Sequence, residues 1–318
     1  MVLLLGTVAR AQTSDYAATS FMTLQEENST ISTSSLKDRF YTNGLRAAYV
    51  SPESADSMLS NIADTLWGNR SVRMSVELTQ QIYTPYSTHT VSPPPSDEPY
   101  AGVLLANIAA VQDAMNARSS AGLSLGVVGP SAYGEQVQNG FHDLIGQGAN
   151  AGWKSQLHDE PVFAFNTARV WRMQLADVDG LETDALPALG VTAGTLRSAA
   201  EAGLTLRIGR GLQNDFGPSR IRALAGGDAF RSSEVLGWYV FAGLKADAVL
   251  NDITLNGNDF RRSRSVSIKP LVGEVNFGVA VLGRGYRLSY TQVVQTQTFR
   301  GERGGAHEIG SLALTLLF

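Results

Sequence analysis

Hydrophobic and polar residues alternate with a period of two along nearly the whole chain, the signature of strands with two unlike faces. Val72, Met74, Val76 and Leu78 alternate with Arg73, Ser75, Glu77 and Thr79. Ala202, Leu204, Leu206 and Ile208 alternate with Gly203, Thr205 and Arg207, and Val275, Phe277, Val279 and Val281 with Glu274, Asn276, Gly278 and Ala280. A mid-strand charge is costly against lipid or a dry core and tolerable against a polar lumen. The pattern predicts strands over 18–28, 40–51, 70–83, 100–112, 117–128, 162–175, 181–193, 200–210, 235–250, 264–282, 285–300 and 306–318. About twelve strands, each near the length that crosses a bilayer when tilted, predict an all-β transmembrane antiparallel β-barrel.

An even count brings both ends of the barrel to one side. With both periplasmic, the outward connections are 29–39, 84–99, 129–161, 194–199, 251–263 and 301–305. The longest, 129–161, is predicted to hold a short helix from Val137 to Ile145. Two inward connections, 51–69 and 210–234, exceed the short turns usual on that side and are candidates for a periplasmic plug. The last strand sets Gly310, Leu312, Leu314, Leu316 and Phe318 on one face and Ser311, Ala313 and Thr315 on the other. A terminal aromatic on such a strand resembles the signal by which bacterial outer-membrane barrels engage the barrel-assembly machinery. At the other end, an apolar run closed by Ala9-Arg10-Ala11 has the small-x-small pattern of a cleaved secretory signal. The expected organisation is a signal over 1–11 and one barrel domain over 12–318.

Composition narrows this only slightly. A hydrophobic fraction of 43% suits a soluble protein and a barrel equally. No apolar stretch is long enough for a transmembrane helix. A net charge of −4 argues against nucleic-acid binding, which needs a clustered basic footprint. There are no cysteines, so disulfides and thiolate metal sites are excluded.

Candidate chemistry gathers in the outward loops. In 129–142 the sequence is Gly-Pro-Ser-Ala-Tyr-Gly-Glu-Gln-Val-Gln-Asn-Gly-Phe-His. Gln138 and His142 are four apart and share a helical face, which makes a base with a positioning partner. Glu27, Asn28 and Asp38, with backbone carbonyls, are hard oxygen donors suited to calcium. A third cluster runs Gln81-Ile-Tyr-Thr-Pro85, Pro93-Pro-Pro95 and Asp97-Glu-Pro-Tyr-Ala-Gly102, with Tyr83 and Tyr100 placed for an interfacial aromatic girdle.

Taken in order, these segments resemble the outer-membrane lipid A 3′-O-deacylase family. The resemblance runs through Glu27-Asn28, Asp38-Arg39-Phe-Tyr-Thr-Asn-Gly44, Gln81–Pro85, Pro99–Gly102, Gly126–Pro130 with Gly134–His142, Gly152-Trp153 with Gln156, Asn251–Gly257 and Ser265–Gly273. It implies a calcium-dependent ester hydrolase in the bacterial outer membrane, acting as a monomer on lipopolysaccharide among outer-membrane lipids. The reaction it implies removes the 3′-linked acyloxyacyl chain of lipid A. By position, His142 resembles the general base, Gln138 and Thr42 polar groups of the site, and Asn28 a calcium-site residue; Glu27 and Asp38 are expected as further ligands from their oxygen donors alone. Arg39, Tyr41, Tyr83, Tyr100 and Lys154 are the substrate contacts expected. Two positions depart from the family pattern: Ser29 stands where an acid is common, and Glu98 where a basic residue is common.

Two other readings compete. An outer-membrane phospholipase would pair a serine such as Ser131 or Ser155 with histidine. A non-catalytic barrel, a pore or binding protein, would have no use for the His142 segment.

Overall fold

The computed structural model describes residues 16–32, 39–68, 70–88, 90–146, 148–221, 227–233 and 235–318. The expected signal over 1–11 lies outside the described residues. One antiparallel sheet closes on itself. Its strands are β1 (Phe21–Asn28), β2 (Phe40–Val50), β3 (Arg73–Thr84), β4 (Ala101–Ala114) and β5 (Ala117–Val128). β6 runs over Glu160–Trp171 and, past Arg172, over Met173–Val178. Both halves of β6 pair with the next strand, so they are one element and the barrel has twelve strands. β7 (Leu181–Gly194), β8 (Arg197–Arg210), β9 (Gly237–Asp252), β10 (Leu271–Gly283), β11 (Tyr286–Gln295) and β12 (His307–Leu317) complete it.

Closure is made by β1 on β12, in register from Phe21 opposite Leu317 to Asn28 opposite Gly310. Phe318 extends that pairing, its amide donating to the Ser20 carbonyl at 3.0 Å. With no open edge, backbone donors and acceptors along the ring are paired, the condition for a strand structure in lipid. The alternation read from the sequence becomes two faces. Met22 and Leu24 on β1, and Leu312, Leu314 and Leu316 on β12, are exposed outward, whereas Thr23, Gln25, Ser311 and Thr315 are buried inward. Among the described residues, no helix is long and apolar enough to cross a membrane.

The inward connections behave differently from each other. Residues 51–72 hold a helix, α1 (Met58–Trp67), begun by a Ser57/Ser60 capping box and ended by left-handed Gly68. Of the connection 211–236, the described residues 211–221 and 227–233 fold into the lumen as a plug. Asp215 accepts bonds from Arg207 (2.5 Å), Arg287 (3.2 Å) and the Tyr239 hydroxyl (2.8 Å). Asp228 meets Arg46 (2.5 Å) and Ser219 (2.5 Å), and Arg220 meets Glu274 (2.5 Å). The Ile221 amide donates to Glu27 at 3.0 Å, and Arg118 to the Ala229 carbonyl at 2.9 Å. Seven strands thus grip one connection, and a residual cavity of about 270 Å³ lined by Arg46, Glu77, Arg197 and Asp252 remains. The mid-strand charges that marked a lumen are the plug's sockets.

Burial alone would raise the Asp215 and Asp228 carboxyls, but the facing arginines hold both below the ordinary carboxylate range. A depressed carboxylate contributes stability above its unfolded pKa and loses it only as pH falls through the folded value. The ion pairs of Asp215 and Asp228 therefore contribute to docking at neutral pH and lose that contribution only in acid. Asp215→Asn leaves Arg207 and Arg287 partly unpaired, and breaking such a buried pair costs about 3–5 kcal/mol. The expected outcome is a clearly lower temperature for the band shift between folded and boiled protein in detergent gels, with ion conductance in planar bilayers rising above that of the wild type.

Candidate active site

The site lies on the outer wall of the barrel, at the end that carries the predicted outward loops. After β5 the chain turns at Pro130–Ala132 and enters α2 (Gly134–Leu144), three residues earlier than the sequence pattern predicts. The segment is tied flat to the wall. The Gly129 amide donates to the Gly102 carbonyl, Leu157 to Tyr100, and the Gln80 side chain to the Ala132 carbonyl at 2.6 Å. Two glycines permit the close approach. A Cβ on Gly134 would lie 2.8 Å from Trp153 and 3.0 Å from Gly102, and one on Gly102 would lie 3.1 Å from the Gly134 nitrogen. Between helix and wall, Ile82, Tyr100 and Trp153 form a buried cluster with Val137 packed against it. Burying Ile82 contributes about 1.5–3 kcal/mol.

Beside this cluster opens a cleft of about 860 Å³. His142 and Gln138 face it from α2, as the four-residue spacing predicts, and both are nearly fully buried. His142 Nδ1 lies 3.3 Å from the Gly148 carbonyl. A carbonyl only accepts, so Nδ1 carries the proton of the neutral ring and Nε2 is the basic nitrogen. Gln138 Oε1 accepts from Trp153 Nε1 at 2.9 Å, which fixes the amide with its NH₂ group buried and without a partner. Asn150 repeats the arrangement: it lines the cleft, and its buried Nδ2 also lacks a partner. A buried unmet donor costs about 1–3 kcal/mol, so two beside one histidine form a place prepared for acceptor oxygens.

The opposite side of the cleft comes from β1 and β2. Asn28 lines it, with Oδ1 accepting from the Thr30 amide and hydroxyl at 2.8 and 2.7 Å to cap a single 3₁₀ turn. Thr42 sits in a β-bulge between Tyr41 and Asn43, which turns its side chain to the outer wall, 2.7 Å from the Thr84 hydroxyl. Arg39, Tyr86 and Glu26 also line the cleft, and Leu45, Phe141 and Ile145 give it an exposed apolar border.

Several expected residues lie elsewhere. Glu27 is one residue from Asn28 and therefore points into the lumen, where it accepts from Tyr41 (3.0 Å) and Ile221. It cannot share a metal with Asn28. Tyr41 and Tyr83 are lumenal too, Tyr83 donating to Gln81 at 2.6 Å, so neither meets an outer-wall substrate. Tyr100 is buried under Gly152 and donates to the Thr88 carbonyl at 3.2 Å, with burial raising its phenol pKa. It is a packing residue and not part of an exposed girdle. Lys154 is solvent-exposed in a 3₁₀ turn away from the cleft lining. Asp38 lies outside the described residues. Ser131 bonds Asp159 and Ser155 the Gly152 carbonyl, so neither is paired with His142. Among the described residues, no group of three or more His, Cys, Asp or Glu is arranged to hold a metal. Asn150 and Tyr86 were not legible, because a lone Asn after a helix and a lone Tyr before a proline-rich loop are ordinary loop composition.

Comparison with known proteins gives one family and one close fold. The family model described as outer membrane protein LpxR matches residues 1–318. The solved structure of LpxR from Salmonella typhimurium superposes with a TM-score of 0.75 at 20% identity, covering 94% of this chain and 100% of that one. The β domain of the Bordetella autotransporter BrkA is more distant, at TM-score 0.46 and 14% identity over 95% of this chain and 100% of that one. No curated protein matches the chain in sequence.

If the two glycines hold α2 on the wall, Gly134→Ala will lift it. The expected outcome is rapid proteolysis between 129 and 159 in whole cells, while the barrel keeps its heat-dependent gel shift. Protection equal to wild type would show that the close contact is dispensable.

Proposed function

This chain belongs to the family of the outer membrane protein LpxR, and from that premise we propose that it is a lipid A 3′-O-deacylase. The reaction is hydrolysis of the ester that holds the 3′ acyloxyacyl chain on the glucosamine disaccharide. One observation supports it above the others. A histidine with its tautomer set by a backbone carbonyl, and two buried amides without partners, share a cleft open to the lipid-facing wall. A pore needs an open lumen, and the plug occupies this one; the serines proposed for a serine hydrolase, Ser131 and Ser155, are bonded to Asp159 and the Gly152 carbonyl instead.

The chain's own residues can perform each step. His142 Nε2 takes a proton from water, and the oxygen of that water adds to the ester carbonyl. Gln138 Nε2 and Asn150 Nδ2 donate to the carbonyl oxygen as it becomes an oxyanion, stabilisation that the ground state uses less. When the carbon–oxygen bond breaks, His142 returns the proton to the departing sugar oxygen, giving a free hydroxyl and a fatty acid. Trp153 holds Gln138 in the donating orientation throughout.

The oxygen-only donors facing the cleft, Asn28, Thr30, Thr42 and the Glu26 carboxylate, fit a hard cation, and we propose calcium. Bound there, calcium supplies Lewis-acid polarisation of the ester carbonyl. Among the described residues Glu26 is the one acid of the lining, and affinity follows ligand charge. Exhaustive chelation should abolish activity, and calcium should restore it better than magnesium. Ser29→Asp, which adds a carboxylate beside Asn28, should lower the calcium needed for half-maximal rate. Full activity after chelation would remove the metal from the mechanism.

The decisive measurement is mass spectrometry of lipid A from cells expressing the protein, read for loss of the 3′ acyloxyacyl chain. His142→Ala should cost roughly two to four orders of magnitude in turnover, the usual range for a positioned base. Asn150→Ala should cost about two orders in kcat, with a much smaller change in KM, as for one oxyanion donor. Unaltered lipid A with well-folded wild-type protein would overturn the reading.

A further inference from the structure

Helix α1 (Met58–Trp67) belongs neither to the cleft nor to the plug, yet it is not left hanging below the barrel. It packs against β4. On that strand Ala106 and Ile108 are exposed outward, as on a bare lipid-facing wall, whereas the next outward positions, Ala110 and Gln112, are buried. Val72, which faces outward beside inward Arg73 at the foot of β3, is buried as well. The Ser54–Val72 bridge carries the β2–β3 pairing past the rim, and the helix returns from it onto the outer wall. Register fixes the level of that contact. Tyr49 of β2 lies opposite Val76, and Val76 opposite Ile108, from which Ala110 and Gln112 follow toward the periplasm. Tyr49, Trp238 on β9 and Tyr286 on β11 face outward, are exposed, and stand at or next to the ends of their strands on this side. Aromatic rings so arranged mark the boundary between hydrocarbon and headgroups, and α1 lies directly beneath them.

Around its axis the helix has three faces, each about a third of a turn from the next. Ser60 and Ala63 are fully buried on the first, the Ser60 hydroxyl donating to the Ser54 carbonyl at 3.0 Å. Met58, Ile62 and Leu66, four apart, run as a stripe along the second and are 77%, 41% and 55% exposed. Asn61 and Asp64 are exposed on the third, with Asp64 3.9 Å from Arg70. A helix bathed in water gains nothing by showing it a stripe of Met, Ile and Leu. One lying along a wall at the membrane boundary has three surroundings: protein, hydrocarbon and water. The three faces match these in number and kind. The stripe also continues the exposed lipid-facing surface of Met74, Val76 and Ile108.

We propose that α1 is an interfacial helix that beds Met58, Ile62 and Leu66 among the phospholipid acyl chains of the periplasmic leaflet. Its polar face sets one acid beside one base, so the stripe is held by apolar burial and not by attraction to charged headgroups. The assignment needs only the outer-membrane location and is independent of the hydrolytic reading.

The chain has no cysteine, so a single one gives a fluorescent label one address. Met58→Cys, Asn61→Cys, Ile62→Cys, Asp64→Cys and Leu66→Cys are made separately in the full chain and labelled with a polarity-sensitive fluorophore. Each protein is inserted into vesicles of phosphatidylethanolamine and phosphatidylglycerol, with both leaflets alike so that the direction of insertion does not matter. Labels at the three stripe positions should emit to the blue and lose emission to phospholipids brominated on their acyl chains. Those replacing Asn61 and Asp64 should lose it to aqueous iodide, so that the ratio of lipid to iodide quenching is severalfold higher along the stripe. Iodide reaching the labels at Ile62 and Leu66 as readily as the one at Asp64 overturns the proposal by placing the stripe in water. Shielding of the stripe from both quenchers overturns it too, by assigning the face to a second copy of the chain. The heat-dependent gel shift verifies each barrel, and three stripe positions read independently keep the test standing if one variant fails to assemble.

Discussion

Closure of the hydrogen-bonded ring is the constraint on which everything else in this molecule depends. A strand in lipid has no water to satisfy its backbone, so β1 must find β12 and the sheet must have no edge. Once the ring closes, each residue is committed to one of two solvents by its parity. The same rule that makes Leu24 lipid-facing and Gln25 lumenal separates Asn28 from Glu27. Two neighbours that look like a ligand pair in sequence become residents of different compartments. The β-bulge at Thr42 is the local exception, and it is what adds a hydroxyl to the outer wall without disturbing the lumen.

The two faces then take separate tasks. The lumen is spent on structure: Arg46, Arg207, Arg220 and Arg287 anchor the plug through Asp215, Asp228 and Glu274. Buried ion pairs of this kind return little net stability once desolvation is counted, but breaking one strands a charge. They consequently select one docked arrangement over others. Under the proposed reaction, chemistry is left to the wall, where a helix is laid against the strands and a cleft opens between them. That placement needs contact closer than ordinary side chains allow, which Gly102 and Gly134 provide.

Most of the fold was legible because period-two alternation is a direct image of the two solvents, and each of the twelve strands overlaps one segment it marks, several running one to three residues past its bounds. The boundaries failed where lipid no longer dictates the pattern. The predicted strand from 264 begins at Leu271, since 264–270 is an outer loop joined to the next strand's extension by the Ile268–Phe299 bridge. The helix-borne part of the site was legible for the same reason as the strands: Gln138 and His142 obey a short, regular period. What was not legible depended on contacts distant in sequence. Tyr41 and Tyr83 look like substrate contacts until register places them opposite each other in the lumen. His307 reads only as the start of the last strand until Glu302 and Phe40 close on it. Asn150 has meaning only once α2 has folded beside it.

A cleft on the wall also solves a problem of substrate access under the proposed reaction. Drawing an acyl chain out of the bilayer into water costs about 0.8 kcal/mol for each CH₂, so extraction of a whole lipid is prohibitive. A site inside the barrel would demand that extraction, and the plug would then block the way. A site on the wall needs only lateral diffusion within the leaflet, with Leu45, Phe141 and Ile145 continuing the apolar surface up to the cleft. The polar groups of the cleft, His142, Gln138 and Asn150, lie at the end of the barrel, where the ester and headgroup of such a lipid reside. Acyl chains can therefore remain in hydrocarbon while the ester meets His142, and binding energy is reserved for the atoms that react. The position of the histidine on the outer wall, set by barrel closure and a glycine contact, thus does as much for the reaction as its identity.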